Sequence, residues 1–251
     1  MKKTWKVWAR IRWYIYSAFI LITLFFACSF GSIPTKNYYI INYTPFSNVP
    51  ATSSRPYQYS IQVGRFEVQR IFNRQNIIYR YSPQQIQYYE LERWAVRPDY
   101  MITDMVFKHL EASKLTNRVG IDYFDTKPDF RIEGTVEAIE KLDARDLFYG
   151  HIAMTFKMLR VKDGEQVWNY SFDQRKQVYS KDMVHSVQAL SSILQTQMDV
   201  VVSQLDSLFL STVSGAPLTE KTEIIPQETA PEDTTSTEID ESAFEIIPEK
   251  K

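Results

Sequence analysis

A long amphipathic pattern near the end of the chain sets the strongest limit on its fold. Apolar residues recur through residues 181–211 at steps of three and four, which places them on one face of an α-helix. They are Met183, Val187, Leu190, Leu194, Met198, Val201, Leu205 and Leu208. Such a helix is about 45 Å long, and Ser180 stands in the position of an N-cap. It either lies across a sheet, the arrangement we favour, or projects as a coiled-coil arm.

Short strands are predicted in the first part of the chain, from apolar and β-branched runs and from period-2 alternation. The predicted strands cover residues 38–43, 59–68, 77–81 and, as a candidate fourth strand, 87–91. Within the second strand the alternation changes phase at Gly64, which predicts a bulge or bend there.

A mid-chain helix is predicted from Pro98, because proline suits the first turn of a helix. An i, i+4 apolar stripe follows, made of Ile102, Val106 and Leu110. Asn117 and Gly120 are predicted to end this helix.

Alternating segments then predict strands with one buried and one solvated face. In the first, the inward residues are Phe130, Ile132, Val136 and Ala138. In the second, they are Ile152, Met154, Phe156 and Met158. Asp163-Gly164 predicts a tight turn into a third strand, since Asp and Gly tolerate positive φ. The order of elements predicts an α+β fold: a mostly antiparallel or mixed β-sheet with a mid-chain helix and a long C-terminal helix packed on one face.

The start of the chain has the pattern of an export signal. Residues 1–27 carry five basic side chains and no acid, and residues 13–27 form an apolar run. Cys28, the only cysteine of the chain, follows a small residue at once, as in a bacterial lipobox, although Leu24 lies one position further from it than usual. We therefore predict a signal peptide at 1–27 and lipidation of Cys28, with an uncleaved inner-membrane signal anchor as the alternative. Ser29, instead of Asp, favours the outer membrane.

The rest of the chain is expected to comprise a short tether at 28–35, one domain at 36–213 and a tail at 214–251. The tail has ten acidic side chains and three lysines, a net charge of −7, and is predicted to be disordered. It contains the sequence Glu-Ile-Ile-Pro twice, at 223–226 and 245–248. These copies are either docking motifs that add a strand to a partner or a coincidence of low complexity.

No pattern in the sequence indicates catalysis or a cofactor, and we expect a non-enzymatic protein. It lacks a phosphate-binding glycine loop, a nucleophile elbow and a His-Glu-x-x-His motif. The single cysteine excludes a thiolate metal cage, and the three histidines are spaced like surface or packing residues. They are His109, His151 and His185. Two acidic pairs, Asp122 with Asp125 and Asp143 with Asp146, are interpreted as solvated loop acids. The net charge of −1 argues against a nucleic-acid partner.

The region between the third strand and the mid-chain helix has a recognisable order. A strand with Tyr-Arg-x-Ser leads through a tyrosine-rich segment to Arg-Trp and a helix begun by proline. The residues are Ile77, Ile78, Tyr79, Arg80, Tyr81, Ser82, Ile86, Tyr88, Tyr89, Arg93, Trp94 and Pro98. This pattern resembles the ABC-type transport auxiliary lipoproteins, the group that includes the PqiC and YmbA-type proteins, and the resemblance covers about residues 36–210.

The resemblance implies a periplasmic lipoprotein at the outer membrane of a Gram-negative envelope. Such a protein would accompany an MCE-domain protein and an ABC permease–ATPase pair in phospholipid transport, and would dock or receive the MCE conduit. A homo-oligomer is a further expectation. The alternative is a structural or pilotin-like assembly adaptor of another outer-membrane machine.

Five residues of the motif are candidates for partner binding, because aromatic and arginine side chains are enriched at interface hot spots. They are Tyr79, Tyr81, Tyr88, Arg93 and Trp94. The competing interpretation, which we favour for Arg93 and Trp94, is structural: Trp94 packs against the helix that begins at Pro98, and Arg93 pairs with a nearby acid.

Overall fold

The computed structural model describes residues 12–19, 34–45, 56–123, 126–144 and 147–213. Two compact units are present, Met1–Thr35 and Lys36–Lys251. In the first unit, residues 12–19 form helix α1, whose side chains are exposed. None of the described helices has the length and apolar character needed to cross a bilayer. Cys28 and the acidic tail lie outside the described residues.

The described part of the second unit contains nine strands and two helices. They are β1 (Asn37–Tyr39), β2 (Tyr57–Val63), β3 (Glu67–Val68), β4 (Asn76–Ser82), β5 (Gln85–Trp94), α2 (Pro98–Ser113), β6 (Thr116–Gly120), β7 (Phe130–Ala144), β8 (Leu147–Arg160), β9 (Gln166–Val178) and α3 (Met183–Val213). The strands form one mixed sheet. The predicted α+β class, with a mid-chain helix and a long C-terminal helix, is confirmed.

Strand β7 organises the sheet. Along one edge it pairs with β8 in an antiparallel ladder from Phe130 to Ala144, and β8 pairs in turn with β9. Along its other edge, three short strands follow one another, all parallel to β7: first β2, then β3, then β4. β6 extends the sheet beside β2, and β5 followed by β1 extends it beside β4.

The long helix lies on the sheet. Its apolar stripe is buried from Met183 to Phe209. The ring of Phe209 lies 5.2–5.5 Å from the rings of Tyr57, Tyr59 and Phe130, so the helix still contacts the sheet about one turn before its end. Of the two arrangements predicted for this helix, the one across the sheet is observed.

Two glycines are required by the geometry of the β7–β8–β9 meander. A Cβ at Gly134 would lie 2.1 Å from the carbonyl oxygen of Thr155 and 2.7 Å from the ring of Phe66, so no larger residue fits between β7 and β8 there. Gly164 has φ +75° in the turn between β8 and β9. The predicted turn is present, but it spans residues 161–165 and Asp163 does not have positive φ, so it is longer than the two-residue turn of an Asp-Gly hairpin.

Several predicted boundaries differ from the structure. The first strand ends at Tyr39, because the next backbone groups bond to helices: the Ile41 N–H to Met101 Sδ (3.3 Å) and the Asn42 N–H to Ser191 Oγ (3.2 Å). The second strand is interrupted between Val63 and Glu67, where Gly64 lies. The candidate fourth strand is longer than predicted and spans Gln85–Trp94.

The ends of both long helices also need correction. α2 ends at Ser113, where Lys114 adopts the left-handed conformation (φ 50°); Asn117 and Gly120 instead lie in β6, which pairs with β2. The N-cap of α3 is Asp182 and not Ser180, since Asp182 Oδ1 accepts from the Val184 N–H at 3.1 Å.

One inward residue of β7 was assigned to the wrong face. The β7–β8 register shifts between Val136 and Ala138. Ile139, opposite Ile152, therefore continues the face of Val136, and Ala138 points to the other side.

A buried polar group lies where α2 approaches α3. His109 is 1% exposed. Its Nδ1 lies 3.2 Å from the hydroxyl of Tyr43, and its Nε2 lies 3.3 Å from Asp199 Oδ1 on α3. Burial lowers the pKa of His109 to about 4 and raises the pKa of Asp199, so both groups favour their neutral forms.

We predict an acid sensitivity caused by His109. The unfolded chain protonates this imidazole below about pH 6.5, but the folded chain does so only near pH 4. The free energy of unfolding should therefore fall by about 3 kcal/mol as the pH decreases through this window. At the lower end of this pH window, the raised pKa of Asp199 offsets part of the loss of stability, because the folded chain then binds a proton at Asp199 more readily than the unfolded chain does. Urea denaturation at several pH values measures the slope.

His109→Gln should flatten that slope, because glutamine does not titrate. His185→Gln is the matched control, since His185 is an exposed histidine at the start of α3 and should leave the slope as in the wild type. Equal slopes for the His109 variant and the wild type would contradict the prediction.

Candidate functional site

The β4–β5 hairpin brings three tyrosines into contact. The hydroxyl of Tyr79 donates to Gln87 Oε1 at 2.7 Å. The ring of Tyr79 lies 5.2 Å from that of Tyr81, edge to face, and 4.3 Å from that of Tyr89. Tyr79, Tyr81 and Tyr89 form what we call the tyrosine cluster. It contains two of the five candidate residues, of which Tyr81 is 44% exposed.

A buried lysine lies beneath the tyrosine cluster. Lys141 pairs with Tyr79 across β7 and β4 and is 2% exposed. Its Nζ donates to the carbonyl oxygen of Lys181 at 3.0 Å and to the Tyr89 hydroxyl at 3.4 Å, and it lies 4.8 Å from the ring centroid of Phe148. Burial lowers the pKa of Lys141 and raises the pKa of Tyr89 to about 12. This lysine ties the hairpin to the segment that leads into α3.

The other three candidates do not join the cluster. Tyr88 pairs with Ile78, on the opposite face of the hairpin. It is 39% exposed, with the guanidinium of Arg74 4.3 Å from its ring centroid.

Arg93 is half-buried and donates to the carbonyl oxygen of Glu90. Trp94 is 1% exposed and belongs to the core, the placement expected of the structural interpretation. The exposed aromatic surface of the hairpin is thus formed by Tyr81 and Tyr88.

A row of charged side chains crosses the opposite face of the sheet. Arg80 Nε donates to Glu140 Oε2 at 2.9 Å. Glu140 Oε1 lies 3.0 Å from His151 Nδ1, and His151 Nε2 lies 2.9 Å from Asp173 Oδ1. Arg80, Glu140, His151 and Asp173 come from β4, β7, β8 and β9, and we call them the charged row.

The interior of the charged row is removed from solvent. Glu140 is 1% exposed and His151 is 7% exposed. Each ring nitrogen of His151 faces a carboxylate oxygen. The Arg80 guanidinium and the His151 imidazole thus alternate with the carboxylates of Glu140 and Asp173, which offsets the desolvation of Glu140. Its arrangement is that of a structural ion network.

Sequence reasoning did not find the charged row. His151 was interpreted as a surface or packing residue, and Glu140 was not singled out. The information lies in the pairing of β7 with β8, which sets Glu140 opposite His151. Residues 145–146, which connect β7 to β8, contain no glycine and so lack the usual sequence signal of a tight hairpin turn. The sequence analysis therefore did not predict this pairing.

The acidic pairs predicted to be solvated fall partly outside the described residues, which include Asp122 and Asp143 but neither Asp125 nor Asp146. Burial raises the pKa of Asp143. Among the described residues, no three His, Cys, Asp or Glu side chains are placed to hold a metal ion.

An apolar pocket opens at the end of the sheet where β7 ends and β8 begins. Its volume is about 180 Å³. The apolar part of its wall comes from Tyr81, Pro83, Leu142, Ala144 and Tyr149, and the polar part from Arg80, Ser82, Glu140, Asp143, His151 and Arg175. The pocket therefore joins the tyrosine cluster to the charged row.

Comparison with known proteins gives these features a context. The family model for the ABC-type transport auxiliary lipoprotein component matches residues 43–202. These residues include the whole β4–β5 hairpin, all of α2 and the part of α3 up to Val202. The chain belongs to the ABC-type transport auxiliary lipoprotein family. The resemblance seen in the Tyr-Arg-x-Ser strand and the segment after it is confirmed.

Solved structures share the fold of this auxiliary lipoprotein. Protein XCC0632 from Xanthomonas campestris, a DUF330 protein, has a TM-score of 0.56 at 21% identity, over 68% of this chain and 99% of that one. A second structure, described as an uncharacterized protein, has a TM-score of 0.55 at 13% identity, over 68% of this chain and 99% of its own. No curated protein matches the chain significantly.

We predict that the charged row contributes strongly to the stability of this auxiliary lipoprotein. Glu140→Gln keeps the side-chain shape but leaves Arg80 and His151 without their shared carboxylate. The free energy of unfolding should decrease by about 3 kcal/mol, as expected when one partner of a buried ion network is removed. Urea denaturation measures the change.

Glu90→Gln is the matched control for Glu140→Gln. Glu90 is an exposed carboxylate in β5, and its substitution should change the free energy of unfolding by less than about 0.5 kcal/mol. Equal effects of the two substitutions would show that the charged row is not stabilising.

Proposed function

We propose that this auxiliary lipoprotein is a non-catalytic component of an MCE/ABC-type phospholipid transport system, anchored through Cys28 at the periplasmic side of the outer membrane. The family match over residues 43–202 carries the proposal. In this role the folded domain docks the MCE conduit, and the permease and ATPase of the same system supply the energy.

The physical need for such a component follows from the cargo. Exposing an acyl chain to water costs about 0.8 kcal/mol per CH₂ group, so a phospholipid crosses the periplasm inside a continuous apolar path. A protein that holds the end of this path at the membrane needs an anchor and a docking surface, but no catalytic group.

The proposed docking surface is the exposed end of the β4–β5 hairpin. Tyr81 and Tyr88 supply exposed aromatic area there, the Arg74 guanidinium lies over Tyr88, and the pocket opens beside Tyr81. Aromatic and arginine side chains next to a pocket are typical of interface hot spots. The buried Lys141 and the charged row hold the hairpin in place behind this surface.

The anchor gives one prediction. Cys28→Ser should abolish metabolic labelling with a palmitate analogue and release the protein from the membrane fraction, because only the thiol accepts the diacylglycerol. Ser29→Ala is the matched control and should leave labelling unchanged. Labelling that survives Cys28→Ser would contradict lipidation, and retention in the inner membrane with residues 1–27 intact would indicate the uncleaved anchor.

The docking surface gives another prediction. Affinity purification of the tagged full-length protein from detergent-solubilised membranes of its host should enrich an MCE-domain protein, identified by mass spectrometry. The double variant Tyr81→Ser and Tyr88→Ser should reduce this recovery at least tenfold, which corresponds to about 1.4 kcal/mol of binding free energy.

Tyr179→Ser is the control for the docking variants, because Tyr179 is 91% exposed and lies outside the hairpin. The single variants identify the face that contributes, since Tyr81 and Tyr88 lie on opposite faces. Recovery of secretion or pilus components without an MCE protein would favour the assembly-adaptor alternative.

A further inference from the structure

The pocket beside Tyr81 has the size of one side chain. Its volume of about 180 Å³ is close to that of cavities that hold a single benzene ring, about 150 Å³. One isoleucine side chain fits such a space, whereas an entire phospholipid does not. The occupant that suits it is therefore an apolar side chain on a polypeptide segment.

The rim of the pocket carries a cation, Arg175, whose side chain has no partner among the described residues. Arg175 on β9 pairs with His151 in the strand register and is exposed. Its guanidinium makes no ion pair or hydrogen bond with any residue that the structure describes, whereas Arg80 is already bound to Glu140. A carboxylate next to the apolar side chain of the occupant would pair with Arg175.

The acidic tail contains this combination twice. Each copy of Glu-Ile-Ile-Pro places a carboxylate beside two large aliphatic side chains, and the tail as a whole has a net charge of −7. We propose that the second copy, residues 245–248, binds in the pocket of the same molecule, with one isoleucine in the cavity and Glu245 on Arg175. This inference is independent of the proposed transport role.

The reach of the chain selects the second copy. The pocket lies at the end of the sheet where α3 begins, because Lys141 bonds to Lys181 there. α3 has 31 residues, about 46 Å, and its last turns lie at the opposite end, beside Phe130. The first copy begins ten residues after Val213, and ten residues reach at most about 36 Å. The second begins 32 residues after Val213, enough for about 100 Å.

Tethering makes a small contact of this kind effective. One side chain and one ion pair give weak binding on their own, but attachment to the same chain provides an effective concentration of about millimolar. Because Tyr81 lines the pocket, a bound tail covers part of the exposed hairpin surface. The tail would then compete with any partner that binds Tyr81.

Disulfide trapping in the full-length chain tests the proposal. In a Cys28→Ser background, Ser82→Cys places a thiol in the pocket wall and Ser242→Cys places one just before the second copy. We expect a disulfide within single molecules, seen as a shifted monomer band without reductant, to form at least fivefold faster than in a Ser82→Cys, Thr222→Cys control beside the first copy.

Two further substitutions identify the contacts. Arg175→Glu and, separately, Ile246→Asp with Ile247→Asp should each slow the disulfide between positions 82 and 242 at least fivefold. The isoleucine changes lie in the tail, so the result stands even if Arg175→Glu fails to fold. Equal rates for the 242 and 222 pairs, rates insensitive to both sets of substitutions, or disulfides formed only between two molecules would each overturn the proposal.

Discussion

The fold depends on the antiparallel ladder between β7 and β8. The strands have 15 and 14 residues, and their pairing extends from Phe130 opposite Arg160 to Ala144 opposite Leu147. The three strands on the other side of β7 have two to seven residues, and each pairs with a different stretch of β7. They are aligned because one continuous edge offers each of them backbone hydrogen bonds, and Gly134 permits the close approach of β7 to β8 that this edge requires.

The same ladder explains how the charged row is buried on the face of the sheet that no described helix covers. A slip of one residue between β7 and β8 would move Glu140 away from His151 and turn the side chains of one strand to the other face, so one of the two polar groups would point toward the apolar side. The desolvation of Glu140 is compensated only in the observed register, where Arg80 and His151 both reach it. The charged row thus disfavours alternative registers in addition to stabilising the native one, and it positions β4, which begins the hairpin with the exposed tyrosines.

Much of this architecture could be predicted from local patterns, and the failures have identifiable causes. The apolar stripe of α3, the proline that begins α2 and the Asp163-Gly164 turn are local signals, and each corresponds to an observed element. Strand β6 was missed because Thr116–Gly120 has no alternation and is stabilised by pairing with β2, a contact between residues about 60 positions apart. The face of Ala138 was assigned wrongly because a bulge leaves no mark in the hydrophobic pattern. The charged row depends on four strands meeting in register, which no single segment encodes.

The two faces of the sheet explain why the candidate site is small. The helices already cover one face, so a partner can use only the other face and the strand ends. A large apolar patch there would promote association through the open edge of β9. The exposed second half of β9 instead carries Asp173, Arg175 and Lys176, and charges of this kind protect edge strands. The recognition that we propose therefore uses a few features at one end: two exposed tyrosines, a cavity that admits one side chain, and Arg175, whose side chain has no partner among the described residues. Because Tyr81 also lines the cavity, a short segment bound there would cover part of the surface that we propose for partner docking.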